Sequence, residues 1–265
     1  MPQLSIAEAL REAIREEMRR DPTVFCIGED IGIPGGFGGA FTVTLGLSDE
    51  FGHERILDTP ISELGLTGLA VGAAMAGLRP VAEIMTINFA FLALDAIINH
   101  AAKVRYMFNG QFTVPLVIRT TTGGGKQLGA THSHAPEVIF AHFPGLYVAV
   151  PGTAYDAKGM LKASIRDDNP VLFVEHSTML QRRSPVPDDP DFLLPIGKSD
   201  IKRPGSDVTI VTYQKGLEYS LVAAEELAKE GIEAEIIDLR WLAEIELMVT
   251  FRRPQPNQGR EDQEG

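Results

Sequence analysis

The stretch DTPISELGLTGLAVGAAMAGLRPVAEIM, residues 58–85, decides how the chain is read. It opens with a proline-containing lead, passes into a small apolar run with glycines at 65, 68, 72 and 77, and ends in the strand-like VAEIM. One acid, Glu63, stands at the head of the run, and no other charge follows it before Arg79. A buried carboxylate with no partner is costly, on the order of several kcal/mol, unless it takes up a proton. From these residues two readings stay open. Glu63 is an acid at a helix start, favoured by the helix dipole and free N–H groups, or an acid kept in an apolar setting for chemistry.

Working outward, short apolar segments alternate with helical ones. VFCIG, VAEIM, VPLVIRT, LYVAVP and PVLFVEH read as buried strands. Between them lie helices, including ALDAIINHAAKVRYMF (93–108), one around PEVIFAHF, and AYDAKGMLKASIRDD. That alternation predicts an α/β fold with a parallel sheet covered on both faces. Ahead of it, Ile6, Leu10, Ile14 and Met18 form one stripe of a first helix, and Ser5 with Glu8 forms a capping box at its start. On the helix after Glu63, the small residues Gly65, Gly68, Gly72 and Ala76 make a smooth face suited to close approach by another element.

Residues 177–206 are rich in proline and read as a linker. A second α/β unit follows over 207–240, with DVTIVTY, LEYSLVAAEELAKEG and EAEIIDL as strand, helix and strand. Residues 241–265 are expected to be a disordered tail, since 252–265 hold no apolar side chain outside the proline rings.

Composition narrows the function classes. The 265 residues carry 24 basic and 36 acidic side chains, a net charge of −12, which argues against binding nucleic acid through a basic face. The single cysteine, Cys26, rules out an intrachain disulfide framework and fits a core position in a reducing compartment. GLTGLAVGAAMAGL is too short to span a membrane and is followed by Arg79. The acids at 8, 12, 16 and 17 do not suit a transit peptide, so a cytoplasmic location is expected.

Two glycine loops invite a phosphate-binding reading. GGFGG (35–39) does not join a strand directly to a helix, and GGGKQ (123–127) has glutamine where a magnesium-binding hydroxyl would stand. Both read better as surface or active-site loops. His132 and His134 lie in the second loop, after a strand, where α/β sheets place ligand sites. A functional and a structural imidazole both remain open there, while a metal site lacks further ligands at suitable spacing.

Four segments carry a resemblance: TPISELGLTGLAVGAAMAGLRPVAEIMTINFAF, INHAAKVRYM, ATHSHAPEVIFAHFPGL and DAKGMLKASIRDDNPVLFVEH. Together they resemble the beta subunit of the E1 component of thiamine-diphosphate-dependent 2-oxo acid dehydrogenases, nearest the pyruvate type. The likeness runs in order from about residue 3 to Arg240. It implies a pyrimidine-type thiamine-diphosphate-binding domain over 1–176, then the linker and part of a transketolase C-terminal-like α/β domain over 207–240. The segment from Trp241 onward has no match, so the second domain is expected to be incomplete.

For the site, the resemblance implies that Glu63 hydrogen-bonds N1′ of the cofactor's aminopyrimidine and favours its imino tautomer. Ile61, Met85 and Phe89 would line the ring's pocket, with Phe89 stacking on it. His132 would face the substrate and the incoming lipoyl group as proton donor. Leu116, Ser164, Ile165, Asp167 and Asn169 match positions that hold a potassium ion in some members; from the residues alone, Asp167 and Asn169 read as a turn before Pro170. No G-D-G motif for magnesium and diphosphate occurs in the chain. The resemblance therefore implies an alpha subunit holding Mg2+ and diphosphate in an α2β2 assembly, with an E2 lipoyl acyltransferase as partner and a small 2-oxo acid as substrate. Branched-chain 2-oxo acid and acetoin dehydrogenases share the same constellation. A non-catalytic truncated remnant is the rival from another class.

Overall fold

The computed structural model describes residues 1–243. The chain starts with Gln3–Ser5 (β1) and Ile6–Arg20 (α1), then Val24–Gly28 (β2), Leu47–Phe51 (α2), Ile56–Asp58 (β3), Glu63–Met75 (α3) and Arg79–Ile84 (β4). Val104–Met107 (α4), Val117–Thr122 (β5), Glu137–Ala141 (α5), Tyr147–Ala149 (β6), Ala154–Arg166 (α6) and Val171–His176 (β7) complete the larger unit. Arg183–Pro185 (β8), Asp200–Arg203 (β9), Val208–Thr212 (β10), Lys215–Lys229 (α7) and Ala234–Asp238 (β11) follow.

The main sheet has the order β3-β2-β4-β5-β7-β6, with every pairing parallel. Its central strands are buried on both faces, which is why they read as unbroken apolar runs rather than alternating ones. One face is covered by α1 and α6, whose Leu10, Ile14, Met160 and Leu161 share a core with Cys26, Val81 and Phe173. The other is covered by α3 and residues 89–107, with Leu66, Ala70, Ile97 and Ala101 packed on Ile27, Ala82 and Ile118. The capping box at the start of α1 is formed: the Ser5 side chain accepts from the Glu8 N–H, and the Glu8 carboxylate accepts from the Ser5 N–H. Cys26 is a core residue, and burial pushes its thiol pKa up to about 12.

Three expectations change. The single helix over 93–108 is broken into a 3-10 turn at Phe89–Ala93, a π-helical segment at Asp95–Ala101, and α4. The neighbours Ala96 and Ile97 are both buried, as are Ala101 and Ala102 five residues on. Widened turns keep both pairs on the core, and the Ala102 N–H bonds the Ile97 carbonyl at 3.0 Å, an i to i+5 contact. The linker expected over 177–206 holds two strands. β8 pairs antiparallel with β1, and β9 joins the second sheet beside β11. Its prolines fall between these strands or on an edge, where a missing N–H is tolerated. The tail expected from 241 begins inside the core: Trp241 is fully buried, bridges Ala149 and packs edge-on against Tyr147. The rest of that tail, 244–265, lies outside the described residues.

The second unit is a three-stranded sheet, β10-β11-β9, with α7 on one side. An ionic cluster ties it to the first. Asp156 at the start of α6 is fully buried and accepts from Lys202 Nζ at 2.8 Å and from Arg240 Nη2 at 2.6 Å. Asp200 accepts from the same two cations.

Candidate active site

Because the main sheet is parallel, the loops after β2, β3, β4, β5 and β7 all leave from one edge, the place where such sheets bind ligands. Glu63 stands there as the first residue of α3, after the lead from β3. Its N-cap, Ser62, makes no side-chain cap bond, so the acid itself meets the positive end of the helix. Glu63 is only 5% exposed, and none of the described residues hydrogen-bonds its carboxylate. Its electrostatic neighbour is Glu29, just beyond β2. The Glu29 pKa is raised, first by burial and then by Glu63, Asp30 and Glu83.

Beyond β4, Met85, Phe89 and His132 come together. The end of this strand is latched to β5 by the Ile87 N–H on the Thr121 carbonyl (3.0 Å) and by Thr121 Oγ1 on the Met85 carbonyl (3.0 Å). The loop from β5 folds back through the Gly123 N–H to the His134 carbonyl (3.0 Å) and an Asn88 Nδ2 contact to His134 Nδ1 (2.6 Å). The two contacts set His132 edge-on to Phe89, with ring centroids 5.2 Å apart. Met85 and His132 line one small cleft, with Thr121, Lys126 and Ser177. Of the two loop histidines, His134 has the structural role, as acceptor through its carbonyl and partner of Asn88 through its ring.

Ile61 departs from expectation. It is 83% exposed, because Pro60, Ile61 and Ser62 run over the sheet edge uncovered by the described residues. The small face of α3 is open in the same way. A Cβ added at Gly68 or Gly72 would meet nothing within 4 Å, and Leu64 and Leu69 beside them are each 53% exposed. That is an apolar helix face left without a partner among the described residues.

Under the site lies a charged group the strand patterns hid. Arg119 of β5 donates to both oxygens of Glu175 on β7 (2.6 and 2.8 Å) and to Glu83 on β4 (2.7 Å). All three are buried. Burial opposes the charge on Arg119, but the carboxylates of Glu175 and Glu83 outweigh it and hold the guanidinium protonated. Burial raises the Glu175 pKa against the pull of Arg119. The signal in the sequence was a charged side chain inside each of three strand segments, Glu83 in VAEIM, Arg119 in VPLVIRT and Glu175 in PVLFVEH.

The oxygens expected to hold potassium do not form a free cage. Arg79 Nη1 donates to the carbonyls of Ile165 and Asp167, both at 2.9 Å. The Leu116 carbonyl accepts from the Val171 N–H (2.9 Å), Ser164 Oγ donates to the Met160 carbonyl (2.7 Å), and Asn169 Oδ1 accepts from Arg105 (2.5 Å). Asp167 Oδ1 takes the backbone N–H and side-chain Nδ2 of Asn169, which makes the turn before Pro170. A guanidinium fills the cation's role here, and a potassium ion fits these residues poorly. Among the described residues no group of three or more His, Cys, Asp or Glu side chains is placed to hold a metal ion. The aminopyrimidine fares better. At the same sheet edge stand Glu63, a buried acid that no described residue hydrogen-bonds, the Phe89–His132 pair, and a small cleft lined by Met85 and His132, chemistry compatible with an aminopyrimidine.

Comparison with known proteins identifies relatives of this fold. The transketolase pyrimidine-binding domain matches residues 2–182, and the transketolase C-terminal domain matches residues 197–248. The chain is 50% identical over 241 residues to the mitochondrial pyruvate dehydrogenase E1 component subunit beta-2 of Oryza sativa subsp. japonica, covering 90% of this chain and 63% of that one. It is 48% identical over 247 residues to the pyruvate dehydrogenase E1 component subunit beta of Rhizobium meliloti, covering 93% and 53%. With the 2-oxoisovalerate dehydrogenase subunit beta of Bacillus subtilis it shares 46% over 241 residues, 91% and 72% of the two chains. The chain thus spans between about half and two thirds of the length of the rice and Rhizobium proteins. Among solved structures, a split-gene transketolase in an inactive beta4 tetramer superposes with a TM-score of 0.68 at 25% identity, over 89% of this chain and 71% of that one. The Leishmania mexicana transketolase gives 0.69 at 14% identity, over 91% and 35%, a likeness of fold alone.

Proposed function

The chain belongs to the family of transketolase-type pyrimidine-binding domains that includes the E1 beta subunits of 2-oxo acid dehydrogenases, and from that premise we propose that it is the beta subunit of a pyruvate-type E1 enzyme. The reaction is decarboxylation of pyruvate with transfer of the acetyl group to the lipoyl group of an E2 acyltransferase. The observation that supports this most directly is Glu63, a buried acid with no hydrogen-bond donor from the described chain, at the edge where the Phe89–His132 pair also stands.

Thiamine diphosphate supplies the electron sink for decarboxylation when bound. Glu63 would hold a proton against N1′ of the aminopyrimidine and return it. Phe89 and Met85 would offer the ring an apolar wall and keep water from it. His132, held edge-on by Phe89, would face the substrate and give a proton to the lipoyl sulfur during transfer.

This half-site calls for a second subunit. In this reading an alpha subunit would hold Mg2+ and the diphosphate. The open face of α3 with Gly68, Gly72, Leu64 and Leu69, and the exposed Ile61 beside it, would be covered in an α2β2 assembly, which would complete the aminopyrimidine pocket. Potassium is left out of the proposal, because Arg79 and Arg105 already engage three of its expected oxygens. The cytoplasm, where a reduced Cys26 is at home, is the compartment that goes with this reading.

The test is to co-purify the chain with an alpha subunit and offer pyruvate, branched-chain 2-oxo acids and acetoin with a lipoyl domain as acceptor. Acetylation from pyruvate at the highest kcat/KM is expected. Activity with acetoin or branched-chain acids alone would replace the pyruvate assignment. A stable assembly inert toward all of them would mark a non-catalytic chain.

A further inference from the structure

The two glycine-rich loops at 35–39 and 123–127 have no part in the chemistry above, yet the second reaches a residue that follows the first. Lys126 of the second loop lays its ammonium 4.3 Å from the ring centroid of Phe41, which follows the first loop. Both residues line the cleft that holds Met85 and His132. The loop is held tightly there: a side chain at Gly123 would collide with the carbonyl of His132, so only glycine lets the two backbone segments lie this close. Lys126 is therefore carried on a segment packed against the histidine.

The surroundings of Lys126 are unusual for a lysine. It is half-buried, and no carboxylate among the described residues pairs with it. Burial lowers its pKa. An aromatic face attracts an ammonium only weakly and leaves its three N–H donors free. Among the residues lining the cleft, only His132 besides Lys126 can carry a positive charge. A partly desolvated cation with unused donors, facing a small cleft, is suited to hold an anion.

We propose that Lys126 is the specificity-determining cation of this cleft, capturing the carboxylate of the 2-oxo acid beside His132. The inference rests on the function proposed above and adds to it the residue that selects for the acid. Lys126 acts in capture rather than in bond breaking. A cation that held the carboxylate through loss of CO2 would oppose the departure of that charge from it. Its contribution therefore belongs in KM.

The experiment uses the assembled enzyme with Lys126→Gln and Lys126→Arg. For Lys126→Gln, KM for the 2-oxo acid is expected to rise about tenfold or more with kcat within about twofold, as for loss of one charge-assisted hydrogen bond. Lys126→Arg should recover most of the affinity. On the wild-type enzyme, the methyl ester of the substrate should inhibit at least about tenfold more weakly than a carboxylate analogue, a comparison independent of any variant's folding. Unchanged KM in an active Lys126→Gln enzyme overturns the inference and leaves the proposed function standing, as does an ester that inhibits as well as the acid. So does a fall in kcat with KM unmoved, which would mark a structural role. A wild-type assembly that decarboxylates no 2-oxo acid overturns the proposed function, and this inference with it.

Discussion

Arg119→Met isolates the ionic group beneath the site. The arginine side chain is 2% exposed, and the substitution keeps much of its length while removing all three hydrogen bonds to Glu83 and Glu175. Two carboxylates would be left buried without a counter-charge. Breaking a buried ion pair from one side destabilises by about 3–5 kcal/mol, which for a chain of this size corresponds to a drop in Tm of roughly 6–20 °C. The deficit must also depend on pH. Burial already raises the Glu175 pKa in the folded protein, and without Arg119 the rise is larger. An acid whose folded pKa is raised stabilises most below its unfolded value and loses that contribution as pH climbs. The deficit should therefore be smallest near about pH 4, close to the unfolded carboxylate value, and grow toward about pH 7. Urea unfolding followed by fluorescence of the buried Trp241, the chain's one tryptophan, measures it. A deficit below about 1 kcal/mol, the scale of an exposed pair, or one that does not change with pH, would refute the reasoning.

Asp238 gives a second test of buried charge. Burial, then repulsion from Asp156, pushes its pKa up to about 7 against the attraction of Lys202 and Arg240. Its contribution is fullest below about pH 4 and is lost as pH rises through about 7. Asp238→Asn keeps an acceptor for the Arg240 N–H and should flatten the wild-type fall in Tm over that window; an unchanged slope would show that Asp238 does not titrate there. Cys26, buried with its thiol pKa near 12, should resist alkylation by iodoacetamide at pH 8 in the native protein and react at once in urea, as read by mass spectrometry. Rapid native labelling would contradict its core position.

What could be read from the sequence was local. The stripe of α1 and its capping box involve residues three or four apart, and the unbroken apolar strands announce a sheet covered on both faces. Glu63 and His132 stood out by their settings in the sequence, Met85 and Phe89 only through the resemblance, and the parallel sheet explains why the loops that carry them leave from one edge. Other features depend on residues far apart in the chain. The π-helical turn at 95–101 answers to which alanine pairs must face the core, not to the periodicity of its own segment. The strands β8 and β9 exist because β1 and β11 offer open edges, which the prolines around them concealed. Arg79 met the expected potassium carbonyls from a different strand, more than eighty residues away in sequence. Lys126 looked like the lysine of a failed phosphate loop until its contact with Phe41 put it in the cleft with His132.

The most direct measurement is the rate of CO2 release from pyruvate by the assembled enzyme carrying Glu63→Gln. Glutamine keeps the shape of the buried side chain and removes its ability to hold and return a proton. The expected result is a loss of about 10²-fold or more, with far-UV circular dichroism and α2β2 assembly unchanged. A variant that assembles and releases CO2 at the wild-type rate would contradict the account, and Glu63 would then be no more than the acid that begins α3.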